Sequence, residues 1–235
     1  MTNSNVDLKQ FKSADVLASE VAGDIATGLA CAIVARGRAG LLVSGGHSPV
    51  RLFERLRTQV LDWSRVSIAL VDERWVEPTD AASNERFVRE ALLRDGASAA
   101  HFFALKNPAP SPDLGAAAAW DAMANIPRPS DITILGMGDD GHVASLFSAS
   151  PNLKRALDLQ APEGYVGMRS PSAPQERLSL NLRALLDSRR IIILILGEAK
   201  LRTYAAACGA GPVEEMPVRA LLRQQQVPVD VVWAP

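Results

Sequence analysis

Short apolar runs alternate along this chain with segments of helical periodicity, and this alternation constrains the possible folds more than any other feature. Segments predicted to be strands occupy residues 41–43, 66–71, 132–135, 178–180, 191–196 and 229–233, and the unbroken apolar run at 191–196 is typical of a fully buried strand. Helical spacing of apolar residues predicts helices at residues 14–35, 83–93, 116–124 and 198–208. Because strands separated by helices pair in parallel and are covered on both faces, the pattern predicts an α/β protein with a largely parallel sheet.

A further helix is predicted to follow the first strand. Ser48 is suited to cap its N-terminus, and Pro49 is suited to its first position. The apolar residues that repeat at helical spacing predict its inner face: Leu52, Phe53, Leu56 and Val60.

The charge balance of the chain bears on its partners. Its 235 residues include 25 Lys and Arg and 26 Asp and Glu, for a formal net charge of −1. Proteins that bind nucleic acid or anionic membranes usually carry a basic excess, so we expect neither partner. The N-terminus does not resemble a signal peptide, and no uninterrupted apolar run approaches the ~20 residues that span a bilayer. We therefore expect a cytoplasmic protein, either a monomer or a small homo-oligomer.

The cysteines, histidines and prolines argue against disulfides, metal sites and domain boundaries. Cys31 and Cys208 lie far apart in Ala-rich helical segments, and we expect two free, buried thiols. With three histidines and no CxxC pair, no metal site is expected. Proline-rich stretches at residues 107–113 and 170–174 are predicted to be surface loops, so residues 1–235 are predicted to form one domain.

The strand ends indicate where a ligand would bind. In open α/β sheets, ligands bind outside the carboxyl ends of the strands, which here means after Val43, Val71, Leu135 and Leu196. After Val43 the chain reads SGGHSP (residues 44–49). Two glycines allow the backbone to approach a ligand closely, and the next helix begins with free N–H groups. This combination is suited to binding phosphate.

Cationic side chains accompany other strands. Arg74 lies in the sequence DERW (residues 72–75) after Val71, and its guanidinium can bind phosphate or carboxylate through two parallel hydrogen bonds. Lys200 lies in the first turn of a predicted helix, where a cation is disfavoured unless an anion is bound nearby. Arg177, just before the strand at residues 178–180, is a further candidate ligand.

The densest cluster of chemically capable residues follows Leu135, with the sequence GMGDDGHVASLF (residues 136–147). A histidine titrates near neutral pH, so His142 can accept a proton. Asp140, two residues earlier, can hold the ring nitrogen that faces away from the substrate. We expect these two residues to be catalytic.

Each of these features also has a structural interpretation. A Gly-Gly turn can simply connect a strand to a helix, Arg74 can pair with a carboxylate of its own loop, and Asp140 can cap a helix. Lys200 and Arg177 can be solvated surface charges. Ser83 and Asn84 read as the start of a helix.

Four sequence blocks, taken together, resemble one known family. They are SGGxSP from residue 44, DER from residue 72 with SN at 83–84, GxGxDGHxASLF from residue 136, and RLS from residue 177 with GxxK from residue 197. In this order they resemble the 6-phosphogluconolactonases of the glucosamine-6-phosphate isomerase/deaminase superfamily, over nearly the whole chain. The resemblance implies a three-layer α/β/α fold with a mostly parallel, Rossmann-like central sheet and no cofactor. It also implies hydrolysis of 6-phosphogluconolactone, a sugar-phosphate lactone of the oxidative pentose phosphate pathway.

The resemblance assigns roles to individual residues. His142 matches the general base of the family and Asp140 its partner. Positions that line the sugar-phosphate site are matched by Gly45, Gly46, Ser48, Arg74, Arg177 and Lys200. The chain departs from the family at His47, where Ser or Thr is usual, at Ser148, where Pro is usual, and at Ser172, near an expected lysine. We expect the loop at residues 170–174 to act as a lid.

Two other functions fit this sequence less well. A glucosamine-6-phosphate isomerase/deaminase has a glutamate a few residues after the histidine, whereas residues 143–148 contain no carboxylate. A non-catalytic sugar-phosphate sensor usually adds a DNA-binding helix-turn-helix, for which the residues before position 14 leave no room.

Overall fold

The strands form two sheets in this computed structural model, which describes residues 5–170 and 173–235. The described residues form ten strands: β1 (Val6–Gln10), β2 (Ala39–Val43), β3 (Val66–Leu70), β4 (Asp72–Arg74), β5 (His101–Phe103), β6 (Ile132–Gly136), β7 (Tyr165–Ser170), β8 (Ala173–Leu180), β9 (Ile191–Leu196) and β10 (Val229–Ala234). Seven of them form a sheet in the order β1-β10-β9-β6-β2-β3-β5, in which every neighbouring pair is parallel.

Helices flank this sheet and complete a three-layer α/β/α architecture. The described residues form eight α-helices: α1 (Ala14–Arg36), α2 (Val50–Leu56), α3 (Asn84–Ala91), α4 (Pro112–Ala122), α5 (Leu153–Leu157), α6 (Leu182–Leu186), α7 (Gly197–Cys208) and α8 (Val218–Arg223). The predicted fold class and the mostly parallel central sheet are therefore confirmed.

The sequence signal was strongest for the central strands because both faces of those strands are covered. Every residue of β2 and β3 is buried, and so is every residue of β9 except Leu196. Strands buried on both faces are apolar over most of their length, and the unbroken apolar run at residues 191–196 predicted β9 on this ground. The parallel register pairs Val43 with Leu70 and with Ile134, so the loops after these strands emerge at the same edge.

Helix α1 is the longest helix of the described chain, with 23 residues. Ser13 caps its N-terminus by accepting a hydrogen bond from the Val16 N–H at 3.3 Å, and Gly37 ends it with a φ of 78°. By length and composition α1 could cross a membrane, although it contains no uninterrupted apolar run of that length. A helix that packs in a protein core meets the same criterion, and eight residues of α1 are buried against the rest of the chain.

A second, antiparallel sheet of three strands has the order β4-β8-β7. One residue separates β4 from β3, so this small sheet begins at the carboxyl edge of the large one. Its register places Asp72 opposite Ser179 and Arg74 opposite Arg177. Sequence analysis predicted only the end of β8 and treated residues 72–74 as a loop. The edge strands β1 and β5 and the strand β7 were also missed.

Two details predicted for the helix after β2 are wrong. Helix α2 begins at Val50 with Pro49 in the N-cap position and without a side-chain cap, so Ser48 is not its N-cap. The helix ends at Leu56, and Val60 beyond it is fully exposed. The helical spacing of apolar residues therefore extends beyond the last residue of the helix, and Val60 is not part of its inner face.

The prediction of buried thiols is also wrong. Cys31 and Cys208 are free, as expected, but both are exposed. An Ala-rich helix with apolar residues around most of its circumference gives little indication of which face packs on the sheet.

Candidate active site

A pocket of about 350 Å³ opens at the carboxyl ends of β2, β3, β6 and β9. All four segments singled out at the strand ends contribute to its walls. Seven of the eight predicted site residues line it: Gly45, Gly46, Ser48, Arg74, His142, Arg177 and Lys200. The eighth, Asp140, is hydrogen-bonded to His142.

The loop after β2 leaves its backbone donors available. The N–H groups of residues 45–48 donate to no acceptor among the described residues. Gly46 has a φ of 96°, a conformation that side chains disfavour. Ser48 lines the pocket, and His47 beside it is exposed. Because α2 has only seven residues, an anion at this loop would interact with these N–H groups rather than with a helix dipole.

His142 and Asp140 form a close pair. Nδ1 of His142 lies 2.6 Å from Oδ1 of Asp140, and the same oxygen accepts the His142 backbone N–H at 3.1 Å. The side-chain hydrogen bond from His142 is the main cause that lowers the pKa of Asp140 to about 2. Asp140 is therefore ionised at neutral pH and can only accept hydrogen bonds.

Glycine at position 138 makes room for this pair. A Cβ there would lie 2.1 Å from Nδ1 of His142 and 2.6 Å from Oδ1 of Asp140. The Gly138 N–H donates to the carbonyl of His142 at 2.8 Å, and Gly141 adopts a φ of 80° between the two catalytic candidates. Ala144, which also lines the pocket, has a φ of 49°, which is unusual for a residue with a side chain.

Arg74 and Arg177 are direct cross-strand neighbours on β4 and β8. Like charges in this position destabilise a sheet unless an anion lies between or beside them. Burial, and secondly the charge of Arg74, hold the pKa of Arg177 below its ordinary value. The Nε atoms of both guanidinium groups are buried and donate to no described residue. The pair therefore suits an anionic ligand.

Phe147 connects this cationic pair with the histidine. Its ring centroid lies 4.6 Å from that of His142, and Cζ of Arg177 lies 5.8 Å from the same ring. The general base candidate and one anion-binding candidate thus lie beside the same aromatic side chain.

Lys200 lies in the first turn of α7, as predicted, and its side chain contacts the loop after β6 that contains His142. Its Nζ donates to the carbonyl of Met137 at 2.7 Å and pairs with Asp139 at 3.0 Å. These contacts hold the cation at the pocket wall, so its position does not depend on a ligand.

Two buried carboxylates, Asp72 and Glu73, precede Arg74 on β4. Asp72 lines the pocket and accepts the Ser145 hydroxyl at 2.5 Å. Glu73 is fully buried and accepts backbone N–H groups of Arg74, Asn84 and Glu85 at 2.6–2.7 Å. Burial raises the pKa of Glu73 to about 7, although these N–H groups act to lower it.

Buried polar atoms without a partner are concentrated at this pocket. Among the described residues, four such atoms belong to its lining: Ser44 Oγ, Arg74 Nε, Asn84 Oδ1 and Arg177 Nε. Native proteins satisfy nearly all buried polar groups, so a cluster of exceptions indicates a place that a polar ligand or ordered water completes.

Asn84 and Asp72 line this pocket, although sequence reasoning gave neither of them a role in the site. Both belong to one block of the family resemblance, but Asn84 was interpreted as the start of a helix and Asp72 as part of a charged loop. The available signal was weak, because the position of both depends on how β4 and α3 pack beside the loop after β2. In the part of the chain that the structure describes, no group of three or more His, Cys, Asp or Glu side chains is arranged to hold a metal ion.

The lid predicted at residues 170–174 falls partly outside the described residues. Ser170 at the end of β7 lines the pocket, and β8 resumes at Ala173. The departure at Ser172 lies in the gap between them, outside the described residues.

Comparison with known proteins identifies the family. Residues 12–233 match the family model described as glucosamine-6-phosphate isomerases/6-phosphogluconolactonase. A 6-phosphogluconolactonase of Pseudomonas aeruginosa is 41% identical over 99% of this chain and 96% of its own. One from Rhizobium meliloti is 40% identical over 96% of this chain and 97% of its own.

A solved structure gives the same result. The crystal structure of a 6-phosphogluconolactonase from Shewanella baltica superposes with a TM-score of 0.96 at 43% identity, over 100% of both chains. With the matching motifs at the strand ends, these similarities establish that the chain belongs to the glucosamine-6-phosphate isomerase/6-phosphogluconolactonase family of enzymes, among its 6-phosphogluconolactonases.

Proposed function

We propose that this chain hydrolyses 6-phospho-D-glucono-1,5-lactone to 6-phosphogluconate, with His142 as the general base that activates water. The observation that carries the proposal is the 2.6 Å contact between Nδ1 of His142 and Oδ1 of Asp140. It is supported by the 6-phosphogluconolactonase relatives that match almost the whole chain.

The contact determines which ring nitrogen is basic. An ionised Asp140 accepts hydrogen bonds only, so Nδ1 of the neutral imidazole must carry the proton that it donates. The other nitrogen, Nε2, then has a free lone pair, and His142 lines the pocket. This tautomer is the one that can take a proton from water.

The hydrolysis then proceeds in two proton transfers. Nε2 of His142 removes a proton from water as the oxygen attacks C1 of the lactone, and the carbonyl oxygen becomes an oxyanion. When the carbonyl re-forms, the bond from C1 to the ring oxygen breaks, and the imidazolium returns its proton to that oxygen. General base catalysis of this kind typically contributes about 10²–10⁴-fold.

The remaining predicted residues bind and orient the substrate. We propose that the phosphate is held by the loop containing Gly45, Gly46 and Ser48, with charge from Arg74, Arg177 and Lys200. The cross-strand arginine pair and the unused backbone donors favour a dianionic group in this pocket.

Further expectations accompany this function. We propose that residues 1–235 act as one catalytic domain, in the cytoplasm, without a cofactor or metal ion. The partner is a small sugar-phosphate lactone rather than nucleic acid or membrane, and the protein is a monomer or a small homo-oligomer.

The decisive experiment follows loss of the lactone near pH 7, with the lactone generated in place from glucose 6-phosphate. His142→Ala is expected to lower kcat by about 10²–10⁴-fold and to change KM only a few fold. His101→Ala is the matched control, because this exposed histidine lies on β5 at the edge of the sheet.

Two results would contradict the proposal. No acceleration by folded wild-type protein would rule out the lactonase activity and make deamination of glucosamine 6-phosphate the next assay. A normal kcat with a greatly raised KM in His142→Ala would make His142 a binding residue.

A further inference from the structure

Asn84 is a buried residue of the pocket that the proposed reaction does not use. It is 2% exposed and is the first residue of α3. Its backbone N–H donates to Glu73 at 2.7 Å, and its Nδ2 donates to the carbonyl of Asp72 at 2.9 Å. The bond from Nδ2 to that carbonyl fixes the orientation of the amide, because the reversed orientation would place two acceptors against each other.

The carboxamide of Asn84 occupies the space that a side chain at position 45 would need. A Cβ on Gly45 would lie 2.0 Å from Oδ1 and 2.4 Å from Cγ of Asn84. The backbone of Gly45 lies outside the left-handed region, whereas Gly46 has a φ of 96°. Glycine is therefore required at position 45 for space and at position 46 for conformation.

Glu73 anchors the corner from which Asn84 projects. Its buried carboxylate accepts the N–H groups of Arg74, Asn84 and Glu85 and the hydroxyl of Ser83, which lies 3.1 Å away. The corner thereby joins β4 to the start of α3. The carboxamide of Asn84 packs directly against Gly45 and thereby restricts the position of the loop after β2.

We propose that Asn84 is a positioning residue that sets the placement of the phosphate-binding loop (residues 44–48) relative to Arg74. This inference rests on the proposed function, because it assigns the loop to the phosphate of the lactone. Asn84 acts through Gly45, so its loss misplaces the loop without touching the reacting atoms. Phosphate is bound in the ground state and the transition state alike, and the effect therefore appears in KM.

The test is a double-mutant cycle between positions 45 and 84. Asn84→Ala is expected to raise KM about tenfold with kcat nearly unchanged. A tenfold change corresponds to a loss of binding free energy about as large as the net contribution of one hydrogen bond. Gly45→Ala is expected to raise KM further, because its methyl group overlaps the carboxamide. The combination of Gly45→Ala with Asn84→Ala is expected to have a lower KM than Gly45→Ala alone.

Two further variants separate space from conformation and hydrogen bonding. Gly46→Ala should not be relieved by Asn84→Ala, because its defect lies in the backbone. Asn84→Asp keeps the shape of the side chain but removes the donor to Asp72, so it should raise KM without relieving Gly45→Ala. Circular dichroism melting curves confirm that each variant is folded.

The outcomes distinguish this inference from the proposed function. Equal defects in Gly45→Ala and in the double variant would overturn the inference, as would a fall in kcat alone in Asn84→Ala. The Kd of inorganic phosphate, measured by calorimetry on the same variants, should follow the same order. If wild-type protein lacks lactonase activity, the proposed function fails, and the phosphate series still decides the role of Asn84.

Discussion

The two glycine-rich loops of the pocket, residues 44–48 after β2 and residues 136–142 after β6, differ in whether their backbone N–H groups are bonded within the protein. In the first loop, the N–H groups of residues 45–48 donate to no described residue. In the second, the N–H groups of Gly138, Gly141 and His142 are all bonded within the loop, at 2.8–3.1 Å. The first loop therefore offers its backbone to a ligand, whereas the second is folded on itself and offers one side chain.

This difference predicts different kinetic consequences of damage to each loop. Backbone donors that bind a phosphate act equally before and during the reaction, so disturbing them changes KM. A side chain that moves a proton acts only in the transition state, so disturbing it changes kcat. Under the proposed function, two loops of similar glycine content would have distinct roles, and mutations can test the distinction.

The largest expected effect comes from Asp140→Asn. An amide can donate to Nδ1 of His142, which would place the ring proton on Nε2 and remove the basic nitrogen. We expect kcat to fall about 10²–10⁴-fold with KM changed only a few fold. Steady-state kinetics on the generated lactone measures both constants. A normal kcat in the folded variant would show that Asp140 does not select the tautomer.

Gly138→Ala should produce the next largest effect. Its Cβ would overlap Nδ1 of His142 at 2.1 Å, so the ring must move. A displacement of about 1 Å can cost roughly 10²-fold in rate, and we expect a loss of that order in kcat. Gly23→Ala on α1 is the matched control, because no atom lies within 4 Å of the added Cβ. A raised KM with an unchanged kcat in Gly138→Ala would contradict the predicted difference between the two loops.

The smallest effect concerns the carboxylates that support the loops. Burial raises the pKa of Glu73, which anchors the start of α3, to about 7, while the bond from His142 lowers the pKa of Asp140 in the second loop to about 2. A raised carboxylate pKa means that the folded state holds a proton which the unfolded state has already lost. Its stabilising contribution is complete below the unfolded value of about 4.5 and is lost as pH rises through about 7.

Glu73→Gln should remove this dependence. The free energy of unfolding of the wild type should fall, relative to the variant, by on the order of 1 kcal/mol per pH unit across that interval. Urea unfolding at several pH values between 5 and 8 measures it. Parallel curves for the two proteins would show that Glu73 does not titrate in this range.

The central strands of the large sheet were the most predictable elements. Strands β2, β3, β6 and β9 were found from sequence because both of their faces are covered and most of their residues are apolar. Strand β4 was missed because it is only three residues long and carries Asp72, Glu73 and Arg74. Its strand character comes from pairing with β8, more than 100 positions later in the chain.

The sequence by itself determined the layered fold, the strand ends where the site lies and the short-range pairing of Asp140 with His142. These features depend on periodicity and on residues two or three positions apart. Tertiary structure decided that Arg74 faces Arg177, that Asn84 fills the space at Gly45 and that Cys31 is exposed. The physical reason is that each of these depends on the packing of elements distant in sequence, which local pattern does not encode.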